Sequence, residues 1–590
     1  MLGHVRSLIL AGAVLLTGAL CVTPTAPAAA DAPGELLYRP TSSTESNAYA
    51  RMIRLAHAGE QNGRLLATWE HWHDDGTPAE FEIRSSDDNG ETWQTLATVG
   101  DPQTGPGHPV SRMWQPFLFE FPHEIGGYAA GTLLLVGNTV PSDGSFTEFV
   151  AWRSSDHGRT WAYEGVIQRG GTFGQGIWEP FLTLDKRGRL LMYFADERDA
   201  PTHSQMIVHV VSTDGGRTWG PVVRDVASAV PGDRPGMPTV VRMGERGEYA
   251  LSYEICGRPH CEVRLKYSRD GARWSDPTDL GVRAQTTDGR YLGHSPYVTW
   301  LPTPDGGQLV LAAQRVFSDI GDQPTEEDYR AVFVNTEKGR GPWSWAPAPW
   351  RVSNASSSCN ANYSPHLMPD GPDGVLRYTA PTSIGGSGPC GEATGTARVA
   401  TLPYEDTFAD GEPRGQAGWN TYGGCWAIQD GAFAETCGGN DAGVGPKALT
   451  GSTGWTDYTV AADVRITSDA GDAGLLARVT DPATGADAHH GYLAFFDVGA
   501  GRLVLARQEY AYISLASAPV NGGTQPNTWY RLSLTVDGAT LTATMRPTSG
   551  GPTTTVTFTD PYASFPHGLA GVRDHAGTAA FRNVRITPAG

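Results

Sequence analysis

Ser86-Asp-Asp-Asn-Gly-Glu-Thr-Trp93 recurs as Ser154-Ser-Asp-His-Gly-Arg-Thr-Trp161 and Ser212-Thr-Asp-Gly-Gly-Arg-Thr-Trp219, with a shortened copy at Ser268-Arg-Asp-Gly-Ala-Arg-Trp274. Each reads as a self-contained turn. Its aspartate can accept backbone N–H bonds, its glycine permits a left-handed conformation, and its tryptophan packs inward. The copies follow one another at a period of roughly 60 residues, which in strand-rich sequence is the size of one propeller blade.

A second repeat counts the blades. Gln115-Pro-Phe-Leu118, Glu179-Pro-Phe-Leu182, Met237-Pro-Thr-Val240, Ser295-Pro-Tyr-Val298 and Ser364-Pro-His-Leu367 share one x-Pro-x-apolar pattern and keep nearly the same period. Arg51-Met-Ile, one period before Pro116, fills the same slot without a proline. The expectation is an all-β chain whose first domain is a six-bladed β-propeller, each copy opening the innermost strand of its blade. A glycine-led apolar strand follows each copy, starting at Gly63, Gly131, Gly188, Gly247, Gly307 and Gly374. At the far ends of these strands, in equivalent positions, stand Glu70, Asn138, Ala195, Glu254, Gln314 and Pro381. Polar residues at equivalent strand ends suit a central site at one mouth of the ring.

From Asp406 to Pro588 the alternation changes to segments such as Tyr458-Thr-Val-Ala-Ala-Asp-Val-Arg-Ile466 and Trp529-Tyr-Arg-Leu-Ser-Leu-Thr-Val536. These predict a β-sandwich (jelly-roll) domain, with Asp406-Thr-Phe408 and Phe581-Arg-Asn-Val584 pairing as first and last strands. The expected division is a signal peptide over 1–30, the propeller over 31–402 and the sandwich over 403–590. The basic start Met1–Arg6, the apolar run Leu8–Val22 and Ala28-Ala-Ala30 form a secretory signal too short for a membrane anchor. The chain is therefore expected to be secreted and extracellular.

Six cysteines remain after that segment: Cys256 and Cys261, Cys359 and Cys390, Cys425 and Cys437. Local disulfides are expected in an exported protein, although six cysteines allow 15 connectivities. No CxxC pair accompanies them, so no metal and no organic cofactor is assigned. A formal charge of −19, with only four lysines, argues against nucleic acid and anionic membranes as partners. Seventeen tryptophans suit sugar-stacking surfaces, which points to a polysaccharide or oligosaccharide partner. The chain is expected to act as a monomer.

Two glutamates stand out. Glu179 follows Trp178 where the preceding blade has Trp114-Gln115, so the scaffold is shared and only the acid is new. Glu254 ends the second strand of the next blade. Both should face the axis at one mouth, where aromatic surroundings would raise one carboxyl pKa while the other stays ionised. Two carboxyls flanking a glycosidic bond are the minimum apparatus for its hydrolysis.

The turn repeat resembles the Asp-box of sialidase-like propellers, which lies on the outer rim and is structural. Trp178-Glu179-Pro180-Phe-Leu, Tyr253-Glu254 and Asn362-Tyr363-Ser-Pro, in that order, resemble glycoside hydrolase family 93 over roughly Leu36 to Leu402. The resemblance implies a retaining exo-α-1,5-L-arabinanase that releases arabinobiose. It makes Glu179 the general acid/base, Glu254 the nucleophile, and Tyr363 a hydrogen-bonding partner that orients the nucleophile. The clean Asp-boxes and the added sandwich depart from that pattern. Trp178, Arg51, Glu70, Asn138, Arg198, His294 and Gln314 are further candidates for substrate binding, and Trp69-Glu-His-Trp-His73 for a wall closing one end of the cleft. The sandwich resembles concanavalin-like or laminin-G-like sugar-binding modules, whose role would be to hold the enzyme on polysaccharide.

Two other functions fit the repeats. An exo-sialidase would need three arginines on one carboxylate, for which Arg51, Arg242 and Arg315 are the candidates. A non-catalytic glycan-binding propeller would need no acids at all.

Overall fold

The computed structural model describes residues 34–42, 45–73, 76–104, 110–245, 247–356, 359–385, 388–409, 418–437 and 445–589. The expected signal segment lies outside them. Among the described residues, no helix is long and apolar enough to cross a membrane.

The innermost strands of the propeller are Glu45–Arg54, Val110–Glu120, Ile177–Leu184, Arg234–Arg242, Tyr297–Leu301 and His366–Pro369. Each packs on the next in that order, and the last returns to the first, which closes the ring. Five of the sheets built outward from them have four strands. The fourth blade is wider, because Arg290–Gly293, Arg315–Ser318 and Gln323–Pro324 are added to it through the pair Glu262–Gly293. The sixth blade takes its outermost strand from the start of the chain, Glu35–Tyr38 on Cys390–Arg398. Second strands such as Leu133–Pro141 are buried along their whole length. A strand covered by neighbouring blades on both faces needs a continuous apolar run, which is what the glycine-led segments supply.

The Asp-box turns form as expected. In the first, Ser86 donates to Asp88 at 2.7 Å, Asp88 accepts the Thr92 N–H at 2.9 Å, and the Trp93 indole donates to the Gly90 carbonyl at 3.1 Å. Gly90, Gly158 and Gly216 sit at φ of 90°, 92° and 91°, so a side chain at any of them would be strained. These turns join the third and fourth strands of blades 1 to 3.

The x-Pro repeat does not open the strands of the first four blades; it interrupts them. Gln115, Glu179 and Met237 have φ of 55°, 65° and 55°, and the pairing register slips across Trp114/Phe117, Trp178/Phe181 and Gly236/Thr239. Each is a β-bulge, which explains how a proline lies within a central strand. Blade 1 carries the same bulge at Tyr49 (φ 62°), with the slip between Ala48 and Arg51. Tyr49-Ala50 is therefore the counterpart of Gln115-Pro116, and Arg51 stands one position beyond the slot the repeat suggested. The second-strand positions align as expected, with Glu70, Asn138, Ala195 and Glu254 opposite Ala48, Trp114, Trp178 and Gly236.

After the propeller, two antiparallel sheets of eight and seven strands form a sandwich. Tyr404–Asp406 pairs with the last strand, Asp406 opposite Val584, as the sequence suggested. Its core includes Trp426, Phe433, Tyr458, Phe496 and Tyr530. The sandwich does not hang from a linker. Trp343, Trp345 and Phe333 of the propeller share one apolar cluster with Tyr422, Leu449, Leu476 and Leu493 of the sandwich. Around it Trp345 and Thr453 exchange hydrogen bonds, the Tyr422 hydroxyl donates to Glu327 at 3.1 Å, and Arg290 pairs with both Glu327 and Asp481. Disulfides join Cys256 to Cys261, Cys359 to Cys390 and Cys425 to Cys437, the local pairing expected.

Candidate active site

A bulge leaves its N–H without a ladder partner, and at four inner-strand positions of this ring the N–H is taken by a side chain of the blade before. The Gln115 N–H donates to Glu70 Oε1 at 2.8 Å, and the Glu179 N–H to Gln115 Oε1 at 2.8 Å. The Met237 N–H donates to Glu179 Oε2, and the Ser295 N–H to Glu254 Oε2 at 2.6 Å. This chain of acceptors holds Glu179 and Glu254 by one carboxylate oxygen each and aims both at the axis.

The two acids line one cavity of 420 Å³ with Gln115, Phe173, Trp178, Glu197, Gln205 and Arg234. Gly236 lies between them: a Cβ there would be 3.5 Å from Glu179 Oε2 and 3.7 Å from Glu254 Oε1. Those two oxygens are therefore no farther apart than these two spans laid end to end. The added carbon would also meet Gln205 Nε2 at 2.7 Å. Gly236→Ala therefore intrudes on the space between the acids without left-handed strain. The expected result is a fall in kcat/KM of roughly 10- to 100-fold with an unchanged melting curve, checked by steady-state kinetics beside thermal denaturation.

Burial, then the neighbouring charge of Glu254, pushes the Glu179 carboxyl up to about 8. Burial pushes Glu254 up to about 7, against the Ser295 N–H that favours its ionised form. Tyr363 stands near both: its hydroxyl is held neutral first by burial and then by the charges of Glu179, Glu254 and Glu70. It packs with Tyr49, Met237 and Trp72. Among the described residues the Tyr363 hydroxyl makes no hydrogen bond to Glu254, whose Oε2 is taken by the Ser295 N–H.

The remaining candidates divide. Trp178 lines the cavity and packs on Phe173 at 5.8 Å. A ring nitrogen of His294 lies within 4.8 Å of the Glu254 carboxylate. Gln314 stays half-buried and donates to Asn360 at 2.7 Å. Asn138 is fully buried and donates to the Ile177 carbonyl at 2.8 Å, so it ties blade 2 to blade 3 and has no face for a ligand. Arg51 is buried under the Tyr49 ring and bonded to Ser364. Arg198 is held in a two-pronged pair by Asp196. In the Trp69–His73 stretch, Trp69 and His71 are buried, and only Trp72 reaches the Tyr363 cluster. Arg242 lies over the Tyr249 ring and Arg315 is paired with Asp328, so with Arg51 they form no arginine triad.

The sequence reading missed Gln115, Gln205, Arg234, Glu197 and Phe173. Gln115 was legible as the counterpart of Glu179. Arg234 donates to Glu197 and Gln205 across strand ends that no repeat marks. A cavity of 510 Å³ at the seam between propeller and sandwich, lined by Asp305, Glu337, Trp455 and His567 among others, lies away from the two acids.

Glu70 is a buried copy of Glu254 at the equivalent strand end of the first blade, pushed up to about 8 by burial. Its carboxyl ionises near 4.5 when unfolded and only near 8 when folded. The stability it contributes is therefore fully present below pH 4.5 and is lost as pH rises to 8. Glu70→Gln keeps an oxygen for the Gln115 N–H and removes the charge. The expected outcome is a melting temperature a few degrees higher at pH 8 and unchanged at pH 4, measured by calorimetry.

Residues 63–313 match the model of the BNR repeat-like domain, and residues 404–587 that of the 3-keto-alpha-glucoside-1,2-lyase-like domain. No curated protein matches the chain. Among solved structures, the family 93 α-L-arabinofuranosidase of Fusarium graminearum with arabinobiose is similar at 27% identity and a TM-score of 0.50, over 62% of this chain and 97% of that one. The Fusarium graminearum α-L-arabinofuranosidase with an iminosugar inhibitor gives 27% identity and a TM-score of 0.50, over 63% of this chain and 97% of that one.

Proposed function

We propose that this chain is a secreted glycoside hydrolase that cleaves α-1,5-L-arabinan from one end with retention, releasing arabinobiose. The observation that carries the reading is the pair Glu179 and Glu254 in one cavity, their separation bounded by the spans of 3.5 and 3.7 Å to the Gly236 Cβ position. That bound admits the spacing of about 5–5.5 Å that a nucleophile and an acid/base need on either side of one sugar. The likeness to an arabinofuranosidase bound to arabinobiose supports the substrate class.

Glu254, whose carboxyl is raised less, is the nucleophile; it attacks the anomeric carbon while Glu179 protonates the leaving oxygen. A covalent arabinosyl-enzyme forms, and the ionised Glu179 then takes a proton from water to release it. Phe173 and Trp178 form an aromatic wall for a sugar face, and Arg234 supplies a polar edge. Trp72, packed on the same Tyr49 and Met237 cluster as Tyr363, would help close the far end and give exo action.

The pH profile follows from the dyad. Below about 7 both acids carry protons and no nucleophile exists; above about 8 both are ionised and no acid remains. A bell-shaped kcat/KM is expected, with limbs belonging to the pair. Because Glu254 is the second cause of the high Glu179 value, Glu254→Gln should lower the pKa of Glu179, read by NMR titration.

Digestion of linear arabinan, with products resolved by chromatography and the first-formed anomer by NMR, tests the proposal. Arabinobiose appearing alone and early, in the substrate's anomeric form, is expected. Release of sialic acid from a fluorogenic sialoside instead, or sugar binding without cleavage, would overturn it in favour of a sialidase or a glycan-binding propeller.

A further inference from the structure

The two carboxylates have a neighbour that the proposed reaction does not use. The Cys256–Cys261 disulfide borders the acid cavity, with Cys256 Sγ 3.5 Å from Glu254 Oε1. One donor atom each from Glu254, Cys256, Cys261 and His294 lie within 4.8 Å of one another; all four residues are half-buried, and Glu254 and Cys256 line the cavity. Three segments contribute them: the end of Tyr249–Cys256, the short turn ending at Cys261, and His294 just before the fifth innermost strand. While the sulfurs are bonded to each other they offer no thiolate and the set binds nothing.

We propose that reduction of this disulfide creates a zinc site built from the Cys256 and Cys261 thiolates, His294 and Glu254, and that zinc there shuts the enzyme off. A dithiol supplies two electrons and two protons and becomes a disulfide, or a phosphine supplies two electrons and becomes its oxide while water gives the oxygen and the two protons; either way the S–S bond breaks and two thiols are left. Zinc then binds both as thiolates and displaces their two protons, and a neutral imidazole and a carboxylate complete the shell. Two sulfurs, one nitrogen and one oxygen make an ordinary tetrahedral zinc set, whose donors stand about 3.5 Å apart. The farthest donors, now within 4.8 Å, draw in slightly, and the two sulfurs move apart from their bonded separation. The turn can move once unlinked. His260 and Cys261 sit at φ of 55° and 45°, a conformation costly for residues with side chains, and the crosslink closes that turn. Zinc on Glu254 Oε1 withdraws charge from the carboxylate and occupies the oxygen that faces the cavity, while Oε2 is taken by the Ser295 N–H, so the same ligation that builds the site disables the nucleophile. Glu254 thus serves either the sugar or the metal.

The inhibitory half rests on the reading of Glu254 as nucleophile; the metal site does not, so the test measures both. The full chain is reduced with a phosphine, freed of reductant, and titrated with Co²⁺ in place of zinc, alongside Cys261→Ser treated identically. Expected is a thiolate-to-cobalt absorption band in the wild type that is weaker by one site per chain in Cys261→Ser. Equal bands in the two proteins overturn the zinc site, because the remaining cysteines would account for them. Arabinan hydrolysis with Zn²⁺ is then compared with each protein's own zinc-free rate. At least a tenfold loss is expected for the reduced wild type alone, reversed by EDTA. The same loss in the oxidised protein or in Cys261→Ser overturns inhibition through this site. A cobalt band without loss of activity keeps the metal site and refutes the nucleophile role of Glu254.

Discussion

Glu254→Gln should lower kcat on linear arabinan by about 10⁴-fold or more, with the fold intact. The amide oxygen can still accept the Ser295 N–H, so the segment leading into the fifth innermost strand keeps its partner and the ring its geometry. What is lost is the lone pair that attacks the anomeric carbon. Glu179→Gln should behave differently. Its loss on arabinan is expected to be about 10²- to 10⁴-fold, because a general acid contributes that much. An aryl arabinoside whose leaving group needs no proton should be cleaved almost normally in the first step. Release of the covalent intermediate then becomes slow, because water has lost its base. A burst of aryl alcohol followed by a slow steady state in Glu179→Gln, and no burst in Glu254→Gln, is the expected pattern by stopped-flow absorbance. The reverse pattern would exchange the two roles. Equal activity in both variants would remove the acids from the chemistry altogether.

The second large effect concerns the sandwich. As a tethered module, its removal would lower activity on insoluble arabinan more than on a short oligosaccharide. The interface predicts otherwise. A chain ending at Leu402 exposes Phe333, Trp343 and Trp345, three side chains buried to within a few per cent in the complete protein. At on the order of 2 kcal/mol for each large apolar side chain returned to water, the loss approaches the whole stability of many domains. It also strips Asp481 and Tyr422 from the buried charges Arg290 and Glu327, leaving those two to pair alone beside Asp288. Arg290 opens the strand Arg290–Gly293, which ends next to His294 in the site. Truncation is thus expected to abolish activity on short and long substrates alike and to lower the melting temperature by about 10 °C or more, at roughly 2–4 °C per kcal/mol lost. Calorimetry and a soluble oligosaccharide assay check it. A truncated chain that melts at the parent temperature and loses only insoluble arabinan would restore the tether.

Much of this was legible in the chain because it repeats. Six copies of one strand motif and three of one turn, at nearly constant intervals, can be met only by radially equivalent sheets. Equivalence in turn marks the positions that differ, Glu179 against Gln115 and Glu254 against Asn138. Glycine in each turn and proline in or just before five of the six inner strands are local features, readable one residue at a time. The sandwich was legible for a similar reason, since alternation at period two is itself local.

Tertiary structure decided what depends on who lies opposite. Asn138, Arg51 and Arg198 occupy promising register positions, yet Asn138 and Arg51 are buried, and each of the three is tied to a carbonyl, a serine or an aspartate whose approach no repeat announces. Gly236 divides the two acids only because the bulge after it turns its strand toward Glu254. The disulfide and His294 meet beside Glu254 from separate segments, and the sandwich joins the propeller through a buried seam. Local periodicity records backbone demands within a few residues. A side chain's availability depends on hydrogen-bond and packing partners that are mostly remote along the chain, and these exist only after the ring has closed.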